Sequence, residues 1–147
     1  MTKIKPELYR KILAGIELQK IYLKNFAGKI NLDVITKAAI IDISSKADFT
    51  TKAENRVEIS QKWDIVAKDK STKSEFISIS VTYCLILDSK DKFTKDFFDI
   101  YEKTSLPLNT WPFVREFVNS MTARMNIPPL TLPLLKFTDK RRTRQAP

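Results

Sequence analysis

The sequence predicts an α+β fold: a four-stranded antiparallel sheet with a main helix on one face, plus a short N-terminal helix. Two observations indicate this class. Residues 57–68 and 76–87 alternate apolar and polar side chains, as half-buried strands do. Strand-like runs also fill much of the first 87 residues, whereas the longest helical pattern lies near the end of the chain, and this succession is typical of α+β domains.

The first elements are a short helix and one strand. Pro6 opens the helix, Gly15 marks its end, and four apolar side chains share one face: Leu8, Ile12, Leu13 and Ile16. Residues 18–26 then indicate a strand. On a regular strand its apolar residues fall on two faces, with Leu18, Tyr22 and Phe26 on one and Ile21 and Leu23 on the other.

The remaining strands follow in order. Residues 34–43 are rich in β-branched side chains and predict the second strand. The polar stretch 44–55 is expected to be a mobile connection. The alternating runs 57–68 and 76–87 are joined by a short charged turn, so they predict an antiparallel hairpin. A weaker helical turn is expected over 93–101.

The main helix is predicted over 110–125. Pro112 suits its first turn, where a missing N–H costs no hydrogen bond, and Asn109 or Thr110 is the expected N-cap. A broad apolar stripe runs down one face: Phe113, Phe117 and Met121, with Val114, Val118 and Met125 beside them. We expect the first three to pack on the sheet. Proline-punctuated apolar loops flank this helix on both sides.

Length and composition fit a single domain over 1–137, followed by a basic, disordered tail over 138–147. Cys84 is the only cysteine, so no intrachain disulfide is possible and a reducing compartment is expected. Charges interrupt every apolar run before it reaches the length of a signal peptide or a membrane span. We therefore expect a cytoplasmic protein that does not insert into membranes.

Missing residue types exclude several chemistries. The chain has no histidine and two glycines, which rules out a Ser-His-Asp triad, a histidine-based zinc helix and a glycine-rich phosphate loop. We expect no enzyme, no cofactor and no metal site. The net charge of +9 admits acidic partners. One alternative is therefore a basic nucleic-acid-binding module that uses lysine-rich strand faces and the tail residues Arg141, Arg142 and Arg144.

Three segments carry a family resemblance: ELQKIYLKN at 17–25, WPFVRE at 111–116 and PPLTLP at 128–133. Together, and in this order, they resemble the SecB protein-export chaperone family over about residues 16–137. The resemblance implies an ATP-independent holdase that binds unfolded polypeptides in apolar grooves and keeps them competent for export or folding. It also implies a homotetramer built as a dimer of dimers.

The resemblance also implies roles for the apolar residues of these segments. Apolar side chains on proline-fixed loops have no obvious core to enter, so with two strand residues they are the expected client-binding set: Tyr22, Phe26, Leu106, Leu108, Trp111, Ile127, Leu130, Leu132 and Leu134. The flank of the main helix is expected to form the oligomer interface through Val114, Val118 and Met125.

Charge separates this chain from SecB itself. The acidic family positions that dock on the SecA translocation ATPase fall at Asn25, Lys29 and near Ser80, and the family's C-terminal helix is replaced by the basic tail. An interface without its charges loses attraction and orientation, so we do not expect SecA coupling. SecB-like proteins dedicated to toxin–antitoxin systems are closer in character. A dedicated antitoxin partner is therefore a further hypothesis beside a general client range.

Overall fold

The structure, a computed structural model, describes residues 4–34, 36 and 38–135. The order of its elements is one helix, four strands and two further helices. Contacts divide the chain into two compact units, Met1–Leu106 and Pro107–Pro147. A single domain over 1–137 thus stays a prediction, and the basic tail lies outside the described residues.

The first unit contains the sheet. Its strands are β1 (Ile16–Ile30), β2 (Ala39–Ala53), β3 (Arg56–Asp69) and β4 (Glu75–Ser89), in the order β1-β4-β3-β2 with every pair antiparallel. The α+β class, the antiparallel sheet and the β3–β4 hairpin are confirmed. The odd-numbered residues of β3 and of β4 from Ile77 onward are all buried, as their alternation predicted.

The second strand is longer than predicted and lies later in the chain. Residues 44–53 continue β2 instead of forming a mobile connection, and β2 turns directly into β3 at residues 54–55. The reason is that Ala47 and Phe49 lie opposite buried β3 residues, and the Phe49 ring packs at 5.0 Å from the Phe93 ring. Of the predicted strand, Val34 lies outside β2, and Ile35 is not among the described residues.

One hydrophobic core cluster of this unit lies at one end of one sheet face, here called the core face. Helix α1 (Pro6–Ala14) and helix α2 (Lys95–Tyr101) pack there. The buried cluster contains Ile12, Val57, Ile59, Leu85, Leu87, Phe93, Phe97, Phe98, Tyr101 and Leu106. Pro6 lies in the first turn of α1, as predicted, and Thr94 caps α2 by accepting a hydrogen bond from the Phe97 N–H at 3.2 Å.

Two β-bulges change the faces of β1. They lie between Leu18 and Lys20 and between Leu23 and Asn25. Each bulge adds one residue, so the side-chain alternation shifts by one position. As a result the apolar residues that stand opposite buried core-face positions of β4 are Leu18, Ile21, Leu23 and Phe26. Tyr22 lies opposite Cys84 on the other side, the polar face, so the predicted grouping of Tyr22 with Phe26 is wrong.

Helix α3 (Ser105–Arg124) begins five residues before the predicted start. Pro107 falls in its first turn, where no N–H needs an intrahelical acceptor, so the helix can start this early. Pro112 is inside the helix and lacks the N–H that would bind the Leu108 carbonyl. Among the described residues, no helix is long and apolar enough to cross a membrane.

Candidate functional site

The second unit is built by the chain reversing at the end of α3. Asn126 adopts a left-handed conformation with φ 60°, and its N–H donates to the Ala123 carbonyl at 3.1 Å. A short polar side chain such as asparagine tolerates this conformation, which ends the helix. Pro128 and Pro129 then favour an extended backbone. The chain therefore runs back along α3.

Residues 130–134, here called the strap, are fixed to α3 by side chains of the helix. The Thr122 hydroxyl accepts the Leu130 N–H at 2.8 Å, and the Asn119 amide donates to the Thr131 hydroxyl at 3.4 Å. The Arg115 Nε donates to the Leu132 carbonyl at 2.9 Å, and the Trp111 Nε1 donates to the Pro133 carbonyl at 2.9 Å.

These four helix positions are three or four residues apart, so they form one ridge, while their partners are consecutive strap residues. The proline-rich loop is thus an ordered extended segment that runs antiparallel to the helix. Its ordering explains the WPFVRE and PPLTLP segments together, because Trp111 and Arg115 of the first hold Pro133 and Leu132 of the second.

The structure corrects several predicted positions in this region. Leu106, Leu108 and Trp111 lie on the helix, not on a loop. Leu106 is fully buried in the core of the first unit, and Leu132 is also fully buried. Trp111 is buried and holds the strap. In the single chain Leu106, Trp111 and Leu132 therefore offer little apolar surface, and their place in the client-binding set stays a prediction.

The apolar stripe of α3 is rotated relative to its prediction. Val114 and Val118 are fully buried within the single chain, whereas the Phe113 side chain, expected to pack on the sheet, is 44% exposed. The helix also buries Thr110 and Thr122, whose hydroxyls give no apolar signal in the sequence. Met125 is half-buried and remains the accessible member of the predicted oligomer interface.

Two leucines remain most accessible where the strap meets the start of α3. Leu108 lies one helical turn before Trp111 and is 53% exposed, and Leu134 follows Pro133 and is 66% exposed. Ile127 and Leu130 are half-buried. Of the predicted client-binding residues in this unit, Leu108 and Leu134 therefore present the largest apolar surface.

In the first unit, β1 presents a second apolar surface. Leu18, Leu23 and Phe26 are exposed on the core-face side of this edge strand, with Phe26 at 56%. Leu18 and Leu23 were not among the predicted site residues. Their signal is the spacing 18, 21, 23, 26, which breaks strict alternation at both bulges.

Tyr22 has a different environment. Its hydroxyl donates to Glu58 Oε1 at 3.1 Å on the polar face. The hydrogen bond with Cys84, burial and the hydrogen bond with Glu58 raise the pKa of Tyr22 to about 12. Lys20 lies over its ring at 5.6 Å. Tyr22 thus belongs to a polar network and not to the apolar surface of Phe26.

Comparison with solved structures identifies the fold. The chain is similar to a SecB-like chaperone of Mycobacterium tuberculosis, solved in complex with a ChAD peptide from the HigA1 antitoxin, with a TM-score of 0.77, 15% identity and coverage of 90% of this chain and 99% of that one. A protein of unknown function from Streptococcus agalactiae matches at a TM-score of 0.41, with 13% identity over 81% of this chain and 97% of that one. No family model and no curated protein matches the sequence. The chain therefore has the SecB-like fold, as its sequence motifs predicted.

Proposed function

We propose that this protein is an ATP-independent chaperone that holds non-native polypeptides through exposed apolar side chains. The observation that carries the proposal is the surface of β1, where two bulges place exposed Leu18, Leu23 and Phe26 on one side of an edge strand. The SecB-like fold supports it, because the similar mycobacterial chaperone was solved with a bound peptide.

Apolar surface provides the binding energy in this proposal. Removing apolar area from water is worth about 25 cal/mol per Å², and aromatic side chains offer large contact area to varied partners. Non-native chains expose the apolar side chains that complement such a surface. Leu108 and Leu134 provide a second apolar contact region in the second unit. Charged residues, 29% of the sequence, would keep a protein with these surfaces soluble.

Serine substitutions at the most exposed positions test the proposal. Phe26→Ser and Leu134→Ser should each weaken suppression of aggregation of a heat-denatured test protein, measured by light scattering. Ala27→Ser places the same side chain on the polar face of β1, and Thr131→Ser alters an exposed strap residue. Both controls should protect as well as the wild type. Full protection by Phe26→Ser and Leu134→Ser together, with unfolding temperatures unchanged, would show that these surfaces do not bind clients.

The client range and assembly are part of the same proposal. We propose that an antitoxin is a preferred client, a hypothesis supported by the antitoxin peptide bound to the similar chaperone. Capture from the native host should then yield one stoichiometric partner, whereas a general holdase would yield many unfolded chains. We also propose a homotetramer, which light scattering would report as about 68 kDa, four times the 17.0 kDa chain.

A further inference from the structure

A polar groove of about 450 Å³ crosses the middle of the polar face of the sheet. The polar side chains that line it come from all four strands: Lys24, Asn25, Lys46, Asp48, Ser60, Lys62 and Thr82. Among these lining residues, three are lysines and one is an aspartate. The groove therefore carries a positive charge in addition to hydroxyl and amide donors.

Strand register builds this groove. Asn25 of β1, Thr82 of β4, Lys62 of β3 and Lys46 of β2 are successive pairing partners, so they form one row across the sheet. The second bulge of β1 adds Lys24 beside Asn25. Four strands at a spacing of about 4.8 Å make this row about 14 Å long. An extended segment of about four residues has the same length.

Within the row, Lys46 and Lys62 stand directly opposite each other on β2 and β3. Like charges in directly opposed positions destabilise a sheet. The Asp64 carboxylate lies 4.0 Å from the Lys62 ammonium, and Asp48 lines the groove on the β2 side, so two carboxylates flank the pair. The three groove lysines exceed these two carboxylates by one positive charge, so an anion bound between the Lys46 and Lys62 ammonium groups would gain attraction from both.

We propose that this groove binds an acidic segment of the polypeptide that the protein holds, which rests on the proposed chaperone function and specifies the chemistry of its clients. Alternate residues of an extended chain are about 6.6 Å apart and point to the same side. One carboxylate of such a segment meets the Lys46–Lys62 pair, and a second, four residues away at about 13 Å, reaches Lys24. The Ser60 and Thr82 hydroxyls, which also line the groove, supply hydrogen-bond donors to the same segment.

Two labelled peptides test the proposal on the full-length protein. Both contain the same apolar core, and its flanks are Glu-Ser repeats in one peptide and Gln-Ser repeats in the other. By fluorescence anisotropy at low salt, the acidic peptide should bind more tightly. The advantage should vanish at about 1 M salt, where the Debye length is about 3 Å.

A variant that lacks two groove lysines is compared with a variant that lacks two lysines outside the groove. Lys46→Ser combined with Lys62→Ser should weaken binding of the acidic peptide by about five-fold and leave the Gln-Ser peptide unaffected. Lys92→Ser combined with Lys103→Ser removes the same charge from two exposed positions outside the groove and should have little effect. The groove variant should not unfold at a lower temperature, since it removes a like-charge pair and loses only the solvent-exposed 4.0 Å ion pair between Lys62 and Asp64.

Each other outcome has a defined meaning. Equal binding of both peptides, or equal losses in the groove and control variants, overturns the acidic-segment proposal. Tighter binding of a single-stranded DNA oligonucleotide than of the acidic peptide, with the same dependence on Lys46 and Lys62, overturns it in favour of nucleic acid. If the Gln-Ser peptide binds as tightly as the Glu-Ser peptide, the chaperone function stands and the assignment of this groove fails. If an acidic peptide without the apolar core binds fully, the groove stands and the apolar holdase function fails.

Discussion

Replacing Thr122 by valine removes one anchor of the strap while keeping the shape of the side chain. The Thr122 hydroxyl is fully buried, donates to the Val118 and Asn119 carbonyls at 2.9 and 3.1 Å, and accepts the Leu130 N–H at 2.8 Å. Valine provides no acceptor, so the Leu130 N–H loses this partner. Leaving a buried donor unsatisfied costs about 1–3 kcal/mol.

The expected effect lies near the lower end of that range, because the Leu130 bond is only partly buried. A cost of about 1–2 kcal/mol corresponds to a factor of about 5–30 in the equilibrium for opening of the strap. The anchors at Trp111, Arg115 and Asn119 remain, so the strap should open locally while the rest of the protein stays folded.

Native-state hydrogen exchange measures this directly. In Thr122→Val, protection of the Leu130 amide should fall by about 5–30-fold, whereas amides of β3 should be unaffected. Thr131→Val is the control, since its hydroxyl is exposed and makes only a 3.4 Å bond with Asn119. Unchanged protection of Leu130 in Thr122→Val would refute the anchoring role. Equal loss throughout the molecule would show that the strap does not open independently.

Three further substitutions test the first unit. The pKa of Tyr22 is raised to about 12, so its contribution to stability is complete below about pH 10 and is lost as the pH rises to about 12. In Tyr22→Phe, the free energy of unfolding measured with urea should not show this loss. Hydrogen bonds from Thr36, Thr72 and Ser71 lower the pKa of Asp69. Its contribution to stability should therefore be present above about pH 4 and disappear at lower pH. Asp69→Asn should weaken the fall in the free energy of unfolding below about pH 4, and an unchanged fall would contradict this expectation. Leu106→Ala should lower the free energy of unfolding by about 2–5 kcal/mol, as a core position requires, while a loss below 1 kcal/mol would contradict that placement.

Strand assignments were predictable where one face of the strand is buried. In β3 and β4 the buried odd-numbered residues impose a strict two-residue period, which the sequence displays directly. The second half of β2 was not predictable in this way. Its stretch SSKADFTTK is polar because most of its side chains are exposed, and its strand conformation depends on pairing with β3.

The unusual character of the segment around α3 was predictable, but the exposure of its individual residues was not. The apolar and proline-rich composition of 105–135 indicated an unusual segment, and the exposed Leu108 and Leu134 belong to it. Composition could not separate them from buried Trp111 and Leu132. That separation depends on which loop carbonyl each helix side chain reaches, and such pairings join residues 17 to 22 positions apart.

The sequence by itself determined the fold class and the hairpin, since these follow from local periodicity. Tertiary structure alone decided which surfaces are available. Bulges in β1 place Leu23 and Phe26 on the same side of the strand, and Leu132 is buried in the strap that α3 holds. The register of four strands brought Lys46 and Lys62 face to face. Exposure and proximity depend on long-range pairing, and no local pattern in a sequence encodes the partner across a sheet or along a helix.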